Sequence, residues 1–364
     1  MTSRFGNLVR MHLQDLEEYE PIEPPEVLAR RLNIPVEDIV KLDGNENPYG
    51  PEPNLYNRLS SYTNYHIYPD PHQRIMRQAL SDYTLVNPSN IVVGSGCDEL
   101  IDLLLRLTLE PGDEVIDCIP TFGMYAFCTR VCGGSVVRVP RTDDFQVDLN
   151  AVIESIGNRT KVVFLTSPNN PTGNLVTEEI LSGILDTGVL VVVDETYYEF
   201  SGHTFASLVS AHENLIVLRS MSKWAGLASL RIGYGIMSNR VASYLMAIKP
   251  PYNVNGAAQV ALVSALENRA ILLNRVEALV KERQWLSLQL AKFKAVQPLP
   301  SSGNFILCKF IGKSAHQVNQ ELIQRGIFTR HFNNQVLQDY LRITVPTRVQ
   351  SDVLLNALGD IIAN

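Results

Sequence analysis

Three apolar runs in the middle of the chain each end in side chains capable of chemistry. KVVFLT at 161–166 leads into Ser167-Pro168-Asn169-Asn170-Pro171-Thr172-Gly173, and VLVVV at 189–193 into Asp194-Glu195-Thr196-Tyr197. NLIVL at 214–218 leads into Arg219-Ser220-Met221-Ser222-Lys223. An amide, a carboxylate with a phenol, and hydroxyls with an amine therefore close three consecutive runs. A carboxylate at the end of an all-apolar strand is partly desolvated, so it needs a cationic or protonated partner. Packing alone gives no reason for these groups to gather at one edge.

A fourth segment offers an anion cradle. Gly94-Ser95-Gly96-Cys97-Asp98-Glu99 lies between the run IVV at 91–93 and a helical pattern carrying Leu100, Leu103, Leu104 and Leu107. Free N–H groups and the helix dipole at such a junction favour phosphate. As a dinucleotide fingerprint the loop fails, because Glu99 stands at the third glycine position. Alone it reads more readily as an ordinary tight turn. Joined by Ser220, Ser222 and Arg231 it makes a pocket for a single phosphate. Pyridoxal 5'-phosphate needs this inventory: a lysine to bond covalently, a carboxylate at the ring nitrogen, donors to the phenolic oxygen, a stacking aromatic and a phosphate cradle.

The elements that must position these groups read as α/β. Short, nearly continuous β-branched runs (91–93, 114–118, 161–166, 189–193, 214–218) alternate with helix-like segments, the pattern of parallel strands covered on both faces. Ligands of such sheets gather beyond the C-terminal ends of the strands. The first forty residues are irregular and Pro-rich, with a short helix ending near Asn33, and 41–71 is dense in Asn, Pro, Gly and Tyr, a composition of turns. After Pro250-Pro251 the texture changes to a long helix from about Ala257 to Phe293, short strands in FILCKF and YLRITV, and a final helix from Ser351. The expected division is an N-terminal arm at 1–45, a large cofactor-binding domain at 46–250 and a small C-terminal domain at 251–364.

Composition narrows the function classes. The 364 residues are 45% hydrophobic, enough for a sizeable core, and the net charge of −7 offers no basic excess for nucleic acid or an anionic membrane. No apolar run approaches the length of a membrane-spanning helix, and the N-terminus lacks the apolar core of a signal peptide. Five cysteines, none in a Cys-x-x-Cys pair, point to buried thiols rather than disulfides or a metal site. A cytoplasmic protein is expected.

The motifs KLDGNENPYGP, YPDP, GSGCDE, PTFGMY, SPNNPTG, DETYYEF, SMSKWAGLASLRIGY, SSGNF and YLRITVP carry a resemblance over nearly the whole chain, from about Tyr19 to Arg348. Together they resemble the fold-type-I, aspartate-aminotransferase-like superfamily, and within it the histidinol-phosphate aminotransferases. The resemblance implies a large domain with a mostly parallel sheet between helices and a smaller C-terminal α+β domain. It implies that Lys223 bonds the cofactor and shuttles a proton, and that Asp194 partners the pyridinium nitrogen. Tyr197 and Asn170 would bond the phenolic oxygen. Phe122 takes the stacking position, where relatives often carry Tyr. Gly96, Cys97, Asp98, Ser220, Ser222 and Arg231 would hold the phosphate, with Cys97 replacing a more familiar alanine. Tyr68 of YPDP would reach the neighbouring subunit's cofactor, which implies a homodimer. Arg342, Arg330 and Tyr19 resemble ligands of the substrate anion, and Asn304 stands where relatives have a SxANF motif.

The implied reaction is transamination between L-histidinol phosphate and 2-oxoglutarate, giving imidazole-acetol phosphate and L-glutamate, a step of histidine biosynthesis. An aromatic amino acid aminotransferase or a threonine-phosphate decarboxylase on the same scaffold is the alternative.

Overall fold

The computed structural model describes residues 8–16, 19 and 21–363. Two sheets organise it. The larger has seven strands: β2 (Ile91–Ser95), β3 (Glu114–Ile119), β4 (Ser135–Pro140), β5 (Thr160–Thr166), β6 (Leu190–Asp194), β7 (Leu215–Ser220) and β8 (Ile232–Ile236), in the order β2-β8-β7-β6-β5-β3-β4. The smaller holds β1 (Val40–Leu42), β9 (Val296–Pro298), β10 (Phe305–Phe310), β11 (Ile327–His331) and β12 (Tyr340–Thr344), in the order β1-β11-β12-β10-β9.

Strands β5, β6 and β7 are neighbours and parallel, with Thr166 opposite Asp194 and Asp194 opposite Leu218. Their chemical C-termini therefore lie side by side, as the sequence reading requires. Residues 191–194 and 215–220 are buried throughout, which explains apolar runs without alternation. One face of the sheet (Val92, Val162, Val192, Ile216) packs on Leu100, Leu103 and Leu104 of the helix Cys97–Thr108. The other face belongs to a core that continues into the small sheet, from Val163 and Val193 to Ile306, Leu341 and Ile343. Each of these fully buried side chains contributes about 1.5–3 kcal/mol.

Several features depart from the expectation. β8 runs antiparallel to both β2 and β7, so the sheet is mixed. Its two glycines weaken its strand signal, and Gly233 is needed because a Cβ there would collide with the backbone N of Cys97. The long helix expected over 257–293 is two helices, Gly256–Glu267 and Arg269–Leu290. Asn268, at φ −102° and ψ 21°, leaves helical geometry and divides them, its backbone N–H and its side-chain amide both donating to Ser264 O, at 3.1 and 2.9 Å. A short helix, Leu55–Ser61, lies within the segment expected to hold only turns. β1 leaves the N-terminal segment to pair in parallel with β11, Val40 opposite Ile327. Among the described residues no helix is long and apolar enough to cross a membrane.

Candidate active site

Strand β6 delivers Asp194 to the sheet edge. The carboxylate is buried; Oδ2 accepts from Tyr125 Oη at 2.8 Å and Oδ1 from the Thr196 backbone N–H at 2.9 Å. Burial raises its affinity for a proton, and the bonds from Thr196 and Tyr125 oppose that rise. Three residues on, the buried Tyr197 hydroxyl accepts from Asn45 Nδ2 at 2.9 Å, and burial pushes its phenol up to about 12. Phe122 is half-buried, edge-on to Tyr125 at 5.6 Å, and Tyr19 stands edge-on to it at 6.4 Å.

Past the end of β7 the chain turns and brings in Lys223, whose Nζ donates to Gly44 O at 2.8 Å. Burial lowers this ammonium to about 8; Arg342 adds to the effect, while Glu46 opposes it. An amine attacks a carbonyl only after losing its proton. The rate of cofactor incorporation into cofactor-free protein should therefore climb through pH 8 and level off above it. Stopped-flow absorbance over pH 6 to 10 checks this, and a rise centred near the ordinary lysine value of about 10.4 would contradict it.

The phosphate end lies at the N-terminus of the helix Cys97–Thr108. Gly96 is its N-cap at φ +83°, and a Cβ there would come within 2.5 Å of Arg231 Nη2. Arg231 pairs with Asp98 at 2.8 Å, and Ser220 Oγ accepts from the Ser222 N–H at 3.1 Å. Cys97 is buried and its thiol donates to Arg219 O at 3.2 Å, so backbone N–H groups rather than sulfur offer the anion contacts. A glycine-lined helix N-terminus beside an arginine, with a buried carboxylate and a half-buried lysine, fits pyridoxal 5'-phosphate.

A second anion subsite comes from the small sheet. Arg342 on β12 is buried; Nη1 donates to Asn170 Oδ1 at 2.6 Å and Nη2 to Asp43 O, while Nε has no partner among the described residues. Arg330 on β11 stands directly opposite Arg342 in the strand register. The half-exposed Tyr19 feels both charges, which lower its phenol against the rise that burial causes. Asn304 is buried and donates to Asn45 O at 2.9 Å, facing the same junction.

Thus Asn170 bonds Arg342, Tyr197 and Asn304 meet at Asn45, Lys223 binds Gly44 beside it, and Asp194 and Phe122 both contact Tyr125, with Tyr19 on Phe122. Gly96, Cys97, Asp98 and Arg231 meet at the cradle, and Ser220 and Ser222 close β7. Tyr68 stands apart, 77% exposed and stacked on Tyr252 at 4.4 Å. Three features went unread in the sequence. Tyr125 lies in the PTFGMY segment, where no local signal marks its reach to Asp194. Asn45, at φ +52°, joins Tyr197 to Thr344 and so bridges the two sheets. Buried Glu195 binds Arg219 at 3.1 Å, Thr204 at 2.7 Å and the Phe205 N–H at 2.6 Å, locking the ends of β6 and β7 together.

Comparison with known proteins agrees with this geometry. Residues 37–358 match the family described as aminotransferase class I and II. The chain is 44% identical to a histidinol-phosphate aminotransferase of Dehalococcoides mccartyi, over 99% of both proteins. It is 45% identical to a chloroplastic one of Nicotiana plumbaginifolia, over 96% of this chain and 86% of the relative. The crystal structure of histidinol-phosphate aminotransferase from Sinorhizobium meliloti in complex with pyridoxal-5'-phosphate superposes with a TM-score of 0.88 at 26% identity, covering 98% of this chain and 97% of that one. With a family match over most of its length and curated relatives above 40% identity end to end, the chain belongs to the histidinol-phosphate aminotransferases of the class I and II aminotransferase family.

Proposed function

We propose that the chain transfers the amino group between L-histidinol phosphate and 2-oxoglutarate, with L-glutamate and imidazole-acetol phosphate on the other side of the equilibrium. The observation that carries this reading is the cross-strand pair Arg330–Arg342. Like charges directly opposite one another on neighbouring strands are unfavourable, and a doubly charged anion between them turns that cost into a binding site. The phosphate of histidinol phosphate and a carboxylate of glutamate share this subsite in alternate half-reactions. Substrate-free, Arg342 is held by Asn170 and Asp43, which aim its fork and leave Nε for the incoming oxyanion.

Bound pyridoxal 5'-phosphate supplies the electron sink that acidifies the substrate Cα–H and the carbon that receives the amino group. The protein does the rest. Gly96, the N–H groups after it, Ser220, Ser222 and Arg231 would hold the phosphate; Asp194 would keep the ring nitrogen charged; Asn170 and Tyr197 would bond the phenolic oxygen, and Phe122 would pack on the ring. Lys223, whose ammonium burial lowers to about 8, would take the Cα proton as general base and return it at C4′ of the cofactor. Initial rates with histidinol phosphate, phenylalanine and threonine phosphate test the substrate. Histidinol phosphate should be the preferred donor by at least an order of magnitude, and a preference for phenylalanine would transfer the assignment to the aromatic enzymes.

The working unit in this reading is a homodimer, and the division of the chain is an arm at 1–45, a large domain at 46–250 and a small domain at 251–364, with β1 lent to the small sheet. The exposed Tyr68–Tyr252 stack, beside exposed Tyr65 and Ile67, supports the dimer. An aromatic patch of this kind suits an interface, and from it Tyr68 reaches the partner's phosphate. Tyr68→Ala and Lys223→Ala proteins, each inactive alone, should regain roughly a quarter of wild-type activity when mixed equally, because half the random dimers hold one intact site. No recovery after mixing under conditions that exchange subunits would count against the shared site. A cytoplasmic location completes the proposal.

A further inference from the structure

Asp194 is tied to a line of buried side chains that binding alone does not require. Tyr125, fully buried on the helix Met124–Cys132 and stacked on Phe164 at 4.5 Å, donates its hydroxyl hydrogen to Asp194 Oδ2. The same phenol oxygen lies 2.9 Å from Thr166 Oγ1, which lies 3.1 Å from Thr121 Oγ1. Thr121 reaches Asn169 Oδ1 at 2.7 Å, and Asn169 Nδ2 donates to Thr172 Oγ1 at 2.8 Å and Pro120 O at 3.0 Å. The line thus runs from the carboxylate on β6 through the end of β5 to the turn that presents Asn170.

Counting hydrogens gives the line a direction. The four contacts Asp194–Tyr125–Thr166–Thr121–Asn169 share three hydroxyl hydrogens. An ionised carboxylate only accepts, so Tyr125 points at Asp194, Thr166 points at Tyr125, and Thr121 has one hydrogen for two acceptors. A protonated Asp194 would add the fourth hydrogen and let the line run the opposite way, so the ionised form rests on the donors at the carboxylate itself, Tyr125 Oη and the Thr196 N–H, and not on the hydrogen count of the line. Burial keeps the Tyr125 phenol protonated far above its ordinary range, so its hydrogen is always available. Its removal would leave a buried carboxylate oxygen without a donor, which favours the neutral acid.

We propose that Tyr125 is a positioning residue for the ring nitrogen of pyridoxal 5'-phosphate: it aims Asp194 and holds it ionised, and the hydroxyl line behind it yokes that carboxylate to the Asn170 turn. This rests on the assignment of Asp194 to the ring nitrogen.

The test compares binding of pyridoxal 5'-phosphate with binding of its 1-deaza analogue, in which carbon replaces the ring nitrogen, to cofactor-free protein by isothermal titration calorimetry. Wild type should prefer the natural cofactor. Tyr125→Phe, which keeps the ring and its stack, should narrow that preference on the order of 10- to 100-fold while the analogue binds nearly as before, since only the charged contact is lost. Equal weakening of both ligands would make Tyr125 a packing residue and overturn the proposal, as would an unchanged preference. Thr166→Val removes the donor to the phenol oxygen, with the Thr121 contact beyond it, and leaves Tyr125 on Asp194; it should narrow the preference by a few-fold. If that ratio is also unmoved, the line exerts no influence and the proposal fails. A wild-type protein that binds both ligands equally would instead count against Asp194 as the ring-nitrogen partner.

Discussion

Lys223→Ala should bind pyridoxal 5'-phosphate without a covalent link and lose turnover by about four orders of magnitude or more. A positioned general base alone is worth roughly 10²- to 10⁴-fold, and here the same amine also anchors the cofactor covalently. Binding should survive because the cradle at Gly96, Ser220, Ser222 and Arg231 does not involve the Lys223 side chain. Two measurements check this. Wild-type protein should be yellow, with a band that shifts on adding an amino donor, and borohydride should fix the cofactor on the peptide containing Lys223. Label on any other lysine would end the assignment. In the variant, single-turnover rates should collapse while the calorimetric affinity for the cofactor falls far less.

Arg342→Ala should impair both half-reactions, and Arg330→Ala mainly the one with histidinol phosphate. Loss of one charged hydrogen-bonding partner from a buried site costs about 2–4 kcal/mol, or roughly 30- to 1000-fold in kcat/KM. Arg342 sits at the junction with Asn170, where each substrate must pass an anionic group. Arg330 adds a second charge, which a dianionic phosphate uses more fully than a carboxylate does. Arg342→Lys should recover little, because an ammonium cannot span Asn170, Asp43 and an oxyanion together as the fork does. Single-turnover kcat/KM for each donor decides the matter. If Arg330→Ala spares histidinol phosphate while phenylalanine remains a good donor, the histidinol-phosphate assignment yields to the aromatic one.

The parts of this site that sequence disclosed share a physical property: they end buried parallel strands. Apolar runs at 161–166, 189–193 and 214–218 are conspicuous because both faces are covered, and the residue after each run is forced to the ligand edge. Asp194, Lys223 and the Asn170 turn were legible for that reason. β8 was not, because Gly233 and Gly235 lower its strand propensity, Gly233 for close approach to the Gly96–Cys97 backbone and Gly235 for room against Met237 and Leu218. β1 and β11 were not, since a three-residue strand has no periodicity and its partner lies at the other end of the chain. Tyr125 and Asn45 act through other side chains, and partners that meet only in the folded state leave no mark on local pattern. Asn268 splits a helix without proline or glycine, by a single residue outside helical geometry that its side chain caps, a feature propensity counts only weakly.

The pairing of β1 with β11 also sets the order in which this molecule can assemble. Val40 emerges early in synthesis, yet its N–H bonds to Gly326 O at 2.9 Å and its neighbour in register is Ile327. The large sheet, whose strands all lie between residues 91 and 236, can close on itself while the ribosome still holds the C-terminal third. Until then Val40, Lys41 and Leu42 are an unpaired edge in search of a partner, a species open to chaperones and to pairing with the wrong chain. Closing so long a loop adds only slowly to the entropic cost but delays the last contacts. Since Asn45, Gly44 and Asp43 follow β1 directly, the substrate side of the site is the last part of the enzyme to be born.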